Sequence, residues 1–101
     1  MNGPTIRHVQ RQTAIAFGVP LEAMTERELT RDLTRARHAA MYLSRRLTDK
    51  SSVVIGRVFN RHHATVLNGI GRARDICRHD PGFRRLVDAA RRAIAKREPA
   101  E

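Results

Sequence analysis

Ser51-Ser52-Val53-Val54-Ile55-Gly56-Arg57-Val58-Phe59, then Asn60-Arg61-His62, then His63-Ala64-Thr65-Val66-Leu67-Asn68-Gly69-Ile70 is the stretch from which the rest of the chain is best understood. Ser51 or Ser52 can cap a short helix that runs through Phe59, with Val54, Ile55 and Val58 as its apolar side. Asn60 suits the left-handed position that ends such a helix. A three-residue turn follows. Beyond it Val66, Ile70, Ala73 and Cys77 recur at i, i+4, i+7 and i+11, the spacing of one helical face. Two helices joined by a tight turn, the second beginning with polar groups, form the helix-turn-helix pattern, here over about residues 51–78.

Working toward the N-terminus, Leu33, Ala36, Ala40, Leu43 and Leu47 keep one face apolar ahead of the turn. Two readings of its start stay open. Thr25-Glu26-Arg27-Glu28 has the form of a capping box, which would make one long helix that includes Leu29. Alternatively, Asp32 or Thr34 caps a separate helix from about Leu33 to Leu47, leaving Glu28 to Arg31 as a loop. Further upstream, Ile6, Val9, Thr13 and Phe17 predict a helix over about Thr5 to Phe17, stopped by Gly18 and Pro20. Leu21 and Met24 suggest one more turn. Toward the C-terminus, Asp80 with Pro81 at the first helical position predicts a last helix to about Lys96. Phe83, Leu86, Val87, Ala90 and Ile94 are its inner stripe. Every element is helical, so the expected fold is an all-α single domain of five to six helices over residues 1–101, ordered over about 5–97.

A chain of 101 residues can bury one core and no more. With four aromatic residues that core must be aliphatic. No long apolar run occurs, the first residues lack a signal-peptide segment, and the single cysteine, Cys77, cannot form an intrachain disulfide. Together these lead us to expect a cytoplasmic, nucleoid-associated protein. Cys77 lies in an apolar helical pattern and is read as a small core residue. The net charge is +10, and eighteen of the twenty basic residues are arginines. The guanidinium fork fits phosphates and guanine edges, which points to nucleic acid.

The chemistry is expected at the start of the second helix of the pair. His62, His63, Ala64 and Thr65 lie there, offering imidazole nitrogens, a hydroxyl and methyl groups to base edges, with Asn68 one turn on. Free amides at the same end favour a phosphate. Arg57, Arg61, Arg72, Arg74 and Arg78 stand against Asp75 alone over residues 57–78. His38, His62, His63 and His79 lack H-x-x-x-H or paired-cysteine spacing, so neither a metal nor a cofactor is expected. The acidic residues sit among arginines as surface pairs, and no G-x-x-x-x-G-K-[ST] loop occurs, so the chain is not expected to be an enzyme.

Residues Leu47 to Phe59, followed by Arg61-His62-His63-Ala64-Thr65-Val66-Leu67, resemble the C-terminal DNA-binding domain of DnaA, the bacterial replication initiator. That family reads I-G-x-x-F, a short turn, then R-D-H-T-T-V. The stretch Thr34-Arg35-Ala36-Arg37-His38-Ala39-Ala40-Met41-Tyr42-Leu43 is similar to the family's A-R-x-x-A-M-x-L helix. The resemblance covers about Ile6 to Arg97. It implies base reading by His63, Ala64 and Thr65, with Arg61 and Arg72 beside them, and backbone contacts from Arg35 and Arg37. Arg27 or Arg31 would supply any minor-groove contact, and Ser52 and Arg57 complete the implied DNA surface. Three departures stand out: His62 and Ala64 replace the family's Asp and first Thr, the loop Glu26-Arg27-Glu28-Leu29-Thr30-Arg31 before the long helix is more acidic and one residue longer than the family's basic loop, and Gly69 and Gly71 lie inside the second helix. The implied function is sequence-specific binding of double-stranded DNA by a transcription regulator, of the kind encoded in phage-like or gene-transfer-agent genes. Two alternatives remain: a replication-control protein on origin sites, and a basic interaction module that docks RNA polymerase.

Overall fold

The computed structural model describes residues 3–27 and 30–96. Five α-helices succeed one another: α1 (Ile6–Phe17), α2 (Arg31–Leu47), α3 (Ser52–Phe59), α4 (His63–His79) and α5 (Pro81–Ala95), with a 3-10 turn at Leu21–Met24 between the first two. There is no strand among the described residues, and the fold is all-α.

The helix ends follow from local chemistry. Thr5 and Ser51 cap α1 and α3, their hydroxyls accepting from the His8 and Val54 amides. Asp80 caps α5 by accepting from the Phe83 amide at 3.1 Å, with Pro81 at the first helical position. Gly18 and Asn60 close α1 and α3 in the left-handed region, at φ 69° and 58°. The start of α2 differs from both expectations. Thr30 is its cap, accepting from the Leu33 amide, and the helix begins at Arg31. Thr25 instead ends the 3-10 turn, and the proposed box partner Glu28 lies outside the described residues, as does Leu29.

Two apolar clusters share the interior. The first unites Ile6, Met24, Ala36, Ala40, Met41, Ile55, Phe59, Val66 and Ile70, and so seats α3 and α4 on α1 and α2. The second unites Val9, Ala39, Leu43, Ala73, Phe83, Val87, Ala90 and Ile94, and so holds α5 against α1. Phe17 and Tyr42 pack on both. Phe17 meets Phe83 edge to face, with ring centroids 5.5 Å apart. Leu86 departs from the expected inner stripe of α5: it is 39% exposed, at the margin of the buried face.

Two glycines set how closely helices approach. At Gly56 an added Cβ would collide with the carbonyl oxygen of Arg61 in the turn. At Gly69 it would lie 2.8 Å from the Met41 sulfur and 2.9 Å from the His38 ring, because α4 crosses α2 there. Gly71 has open space around its missing Cβ, so no packing reason accounts for it. His38 is half-buried at the same crossing. Burial lowers its pKa below the ordinary 6.5, with Arg37 and Arg72 adding to the shift.

Gly56→Ala is therefore expected to lower unfolding stability by roughly 1–3 kcal/mol through overpacking of the turn. Gly71→Ala should raise it by up to about 1 kcal/mol through helix propensity. Urea midpoints of both variants check this. For His38, the unfolded chain holds more protons than the folded one just below its ordinary pKa, so stability falls on acidification from neutrality through that window. The fall levels off once folded His38 is protonated too. Thermal midpoints across pH should show this component, and His38→Gln should remove it.

Candidate nucleic-acid interface

Val66, Gly69, Ile70 and Ala73 line the buried side of α4. At 100° per residue this leaves Ala64, Asn68 and Gly71 near the middle of the outer side, with Leu67, His63, Thr65 and Arg72 toward its flanks. His63, Ala64, Thr65, Asn68 and Arg72 are all exposed. Leu67, 54% exposed among them, was not singled out in the sequence, where an apolar side chain carries no polar signal for a site.

His62 is the N-cap of α4. Its Nδ1 accepts from the Ala64 amide at 3.1 Å, and its ring lies 4.3 Å from that of His63. Only a neutral imidazole with the proton on Nε2 can accept there. The histidine thus takes over the amide-accepting task that an aspartate carboxylate performs at an N-cap. This departure from the family pattern preserves the helix start.

Arg61 has a largely structural task. Its guanidinium donates to the carbonyl oxygens of Thr25 at 3.2 Å, Phe59 at 3.1 Å and Asn60 at 3.1 Å, and also to that of Glu26. It therefore pins the segment that carries Arg27 onto the turn between α3 and α4. Burial lowers the Arg61 pKa, and nearby Arg27 lowers it further. Arg27 is exposed beside this clamp, and Arg31 is exposed at the first position of α2. Arg57 is exposed on α3, and Ser52 is half-buried at its first position, one residue after the capping Ser51.

The resemblance implied DNA-backbone contacts for Arg35 and Arg37. For Arg37 this is corrected: it is 4% exposed, and its Nε donates to the Ala23 carbonyl at 3.2 Å, tying α2 to the 3-10 turn. Burial lowers its pKa, followed by the charge of Arg61. Arg35 is partly buried. Its Nη2 pairs with Asp80 at 2.7 Å, and its guanidinium lies 5.0 Å over the Phe83 ring. The partner is Asp80, 45 residues away in the sequence. The Phe83 amide and then Arg35 hold the Asp80 carboxyl below its usual range.

Cys77 is half-buried, and burial raises its thiol pKa. Among the described residues, no group of three or more His, Cys, Asp or Glu lies together as a metal site would require. No described helix is long and apolar enough to cross a membrane.

Arg61→Ala should lower unfolding stability by about 1–3 kcal/mol, because several buried or turn carbonyls lose a charged donor. Hydrogen exchange should quicken at residues 25–27 and 60–62 more than in α5. A uniform change across the chain would remove the clamp from this account.

The profile of the bacterial dnaA protein helix-turn-helix family matches residues 6–73. Chromosomal replication initiator protein DnaA of Gluconobacter oxydans is 34% identical over 91 residues, covering 89% of this chain and 19% of that protein. The Anaplasma marginale protein of the same name is 43% identical over 67 residues, covering 65% of the chain and 14% of the relative. That of Oleidesulfovibrio alaskensis is 37% identical over 82 residues, 80% of the chain and 18% of the relative. The chain thus spans less than a fifth of the length of each of these relatives. From α1 through most of α4, it belongs to the bacterial DnaA helix-turn-helix family.

Proposed function

We propose that the chain binds double-stranded DNA in a sequence-specific manner and acts as a transcription regulator at the sites it occupies. The observation that carries this reading is the exposed head of α4. His63, Ala64, Thr65 and Asn68 project from a helix whose other side is locked into the core, and Arg57 and Arg72 flank them. A recognition helix requires this arrangement: a rigid start whose side chains reach base edges in the major groove. Thr65 offers a hydroxyl and a methyl, His63 a donor or acceptor, and Ala64 and Leu67 apolar contact for a thymine methyl.

Arg27, Arg31, Ser52, Arg57 and Arg72 supply the phosphate and groove-edge contacts in this reading. Arg35, Arg37 and Arg61 act through the fold, since their guanidinium groups are engaged with Asp80 and with backbone carbonyls. Promoter sites rather than an origin are the expected locations, and a genome-wide footprint separates the two.

Binding should weaken steeply between low and physiological salt, as exposed arginines release condensed counterions. Thr65→Ala and His63→Ala should each cost roughly 1–3 kcal/mol on a selected site and leave random duplex unaffected. Affinity independent of salt, or equal losses on both duplexes, would overturn base reading by α4.

A further inference from the structure

We propose that the outward face of α5 binds the phosphate backbone of a second DNA duplex, so that one copy of the chain bridges two duplexes. The proposal goes beyond the α4 interface and rests on it for the first duplex.

Phe83, Val87, Ala90 and Ile94 turn one side of α5 into the core, chiefly against α1. On the opposite side, Arg85, Arg92 and Lys96 follow one another at i, i+7 and i+11, within an arc of about 40° around the axis. All three are exposed, and none has a hydrogen-bond or ion-pair partner among the described residues. The flanking arginines are engaged: Arg84 donates to the Cys77 carbonyl at 2.6 Å, and Arg91 pairs with Asp88 at 3.3 Å.

Helix stability does not explain this row. Cations favour the C-terminal end of a helix, which suits Arg92 and Lys96, yet Arg85 lies near the positive end. The arc holds no large apolar side chain, so it lacks the anchors from which protein interfaces draw their affinity. A row of cations without apolar neighbours fits a polyanion. From Arg85 to Lys96 the helix spans about 16 Å. One DNA strand presents about five phosphates over that axial distance, at about 3.4 Å each.

The position of α5 selects a second duplex. α5 packs chiefly on α1 and also on α4, and Phe83, Val87, Ala90 and Ile94 share one apolar cluster with Ala73 on the buried side of α4. The cationic row and the exposed head of α4 therefore lie on the outer sides of two helices whose inner sides meet, and they face different ways.

The test immobilises one duplex on beads and offers a second, fluorescent duplex at limiting protein. The full chain is compared with Arg85→Glu/Arg92→Glu and with the milder Arg85→Ala/Arg92→Ala. Single-duplex affinity, footprint length, sedimentation mass and thermal midpoint are measured alongside. The full chain should couple the two duplexes as a monomer. Both variants should keep their midpoint and hold single-duplex affinity within about threefold, while coupling falls tenfold or more for the glutamate variant. Single-duplex binding without coupling by the full chain overturns the α5 proposal alone, as does undiminished coupling by the variants. Coupling only by a dimer, or a footprint shortened in the variants, overturns it in favour of self-association or of flanking contacts on the same duplex. Failure to bind any duplex overturns both this proposal and the α4 reading.

Discussion

The close approach of Gly56 to the backbone of Arg61 is the constraint on which the rest of the structure depends. The Arg61 amide donates to the Gly56 carbonyl at 2.8 Å, and Asn60 makes the reversal between them at φ 58°. With no Cβ at Gly56, the turn lies directly on α3. That proximity fixes where α4 starts and in which direction it runs. The same residue then extends its side chain over the carbonyls of Thr25, Phe59 and Asn60, so its backbone defines the turn and its guanidinium anchors a distant segment to it. Arginine suits this because one planar group carries five donors in a fixed fork.

A net charge of +10 is consequently not a single property of the surface. Arg37 and Arg61 are partly or wholly withdrawn from water, and Arg35 is held between Asp80 and the face of Phe83. Burial depresses the pKa of the first two, but an arginine starts so far above neutrality that the charge persists. These buried cations are tolerated because carbonyl oxygens and one carboxylate receive their N–H groups. The charge free to meet a ligand lies elsewhere, at Arg27 and Arg31 before and at the start of α2 and on the outer sides of α3, α4 and α5.

The head of α4 separates recognition from stability. Val66, Gly69, Ile70 and Ala73 bind the helix to its neighbours, while the side chains between them face outward and touch little. Ala64 can therefore stand where the family has a threonine without disturbing the core. His62 is more constrained, since an acceptor must be present at the N-cap. An imidazole nitrogen meets that need as a carboxylate does, but without its negative charge.

Much of this architecture is written locally. The apolar period of 3.6, the caps at Thr5, Ser51 and Asp80, Pro81 after its cap and Asn60 at a left-handed end all act within a few residues, so all five helices and the helix-turn-helix are legible from the chain alone. The exposed residues at the start of α4 are legible for the same reason. What depends on contacts across the chain is not. Arg37 occupies a helix position that could as well face solvent, and only the packing of the 3-10 turn against α2 brings the Ala23 carbonyl to its Nε. Arg35 finds Asp80 across 45 residues, a pairing no helical spacing encodes. Thr25 and Thr30 offer equivalent capping chemistry, and the position of α2 at Thr30 accompanies the clamp that Arg61 places on residues 25 and 26. Periodicity and capping are nearest-neighbour effects, whereas the burial of a particular arginine depends on which backbone oxygens the fold leaves without donors.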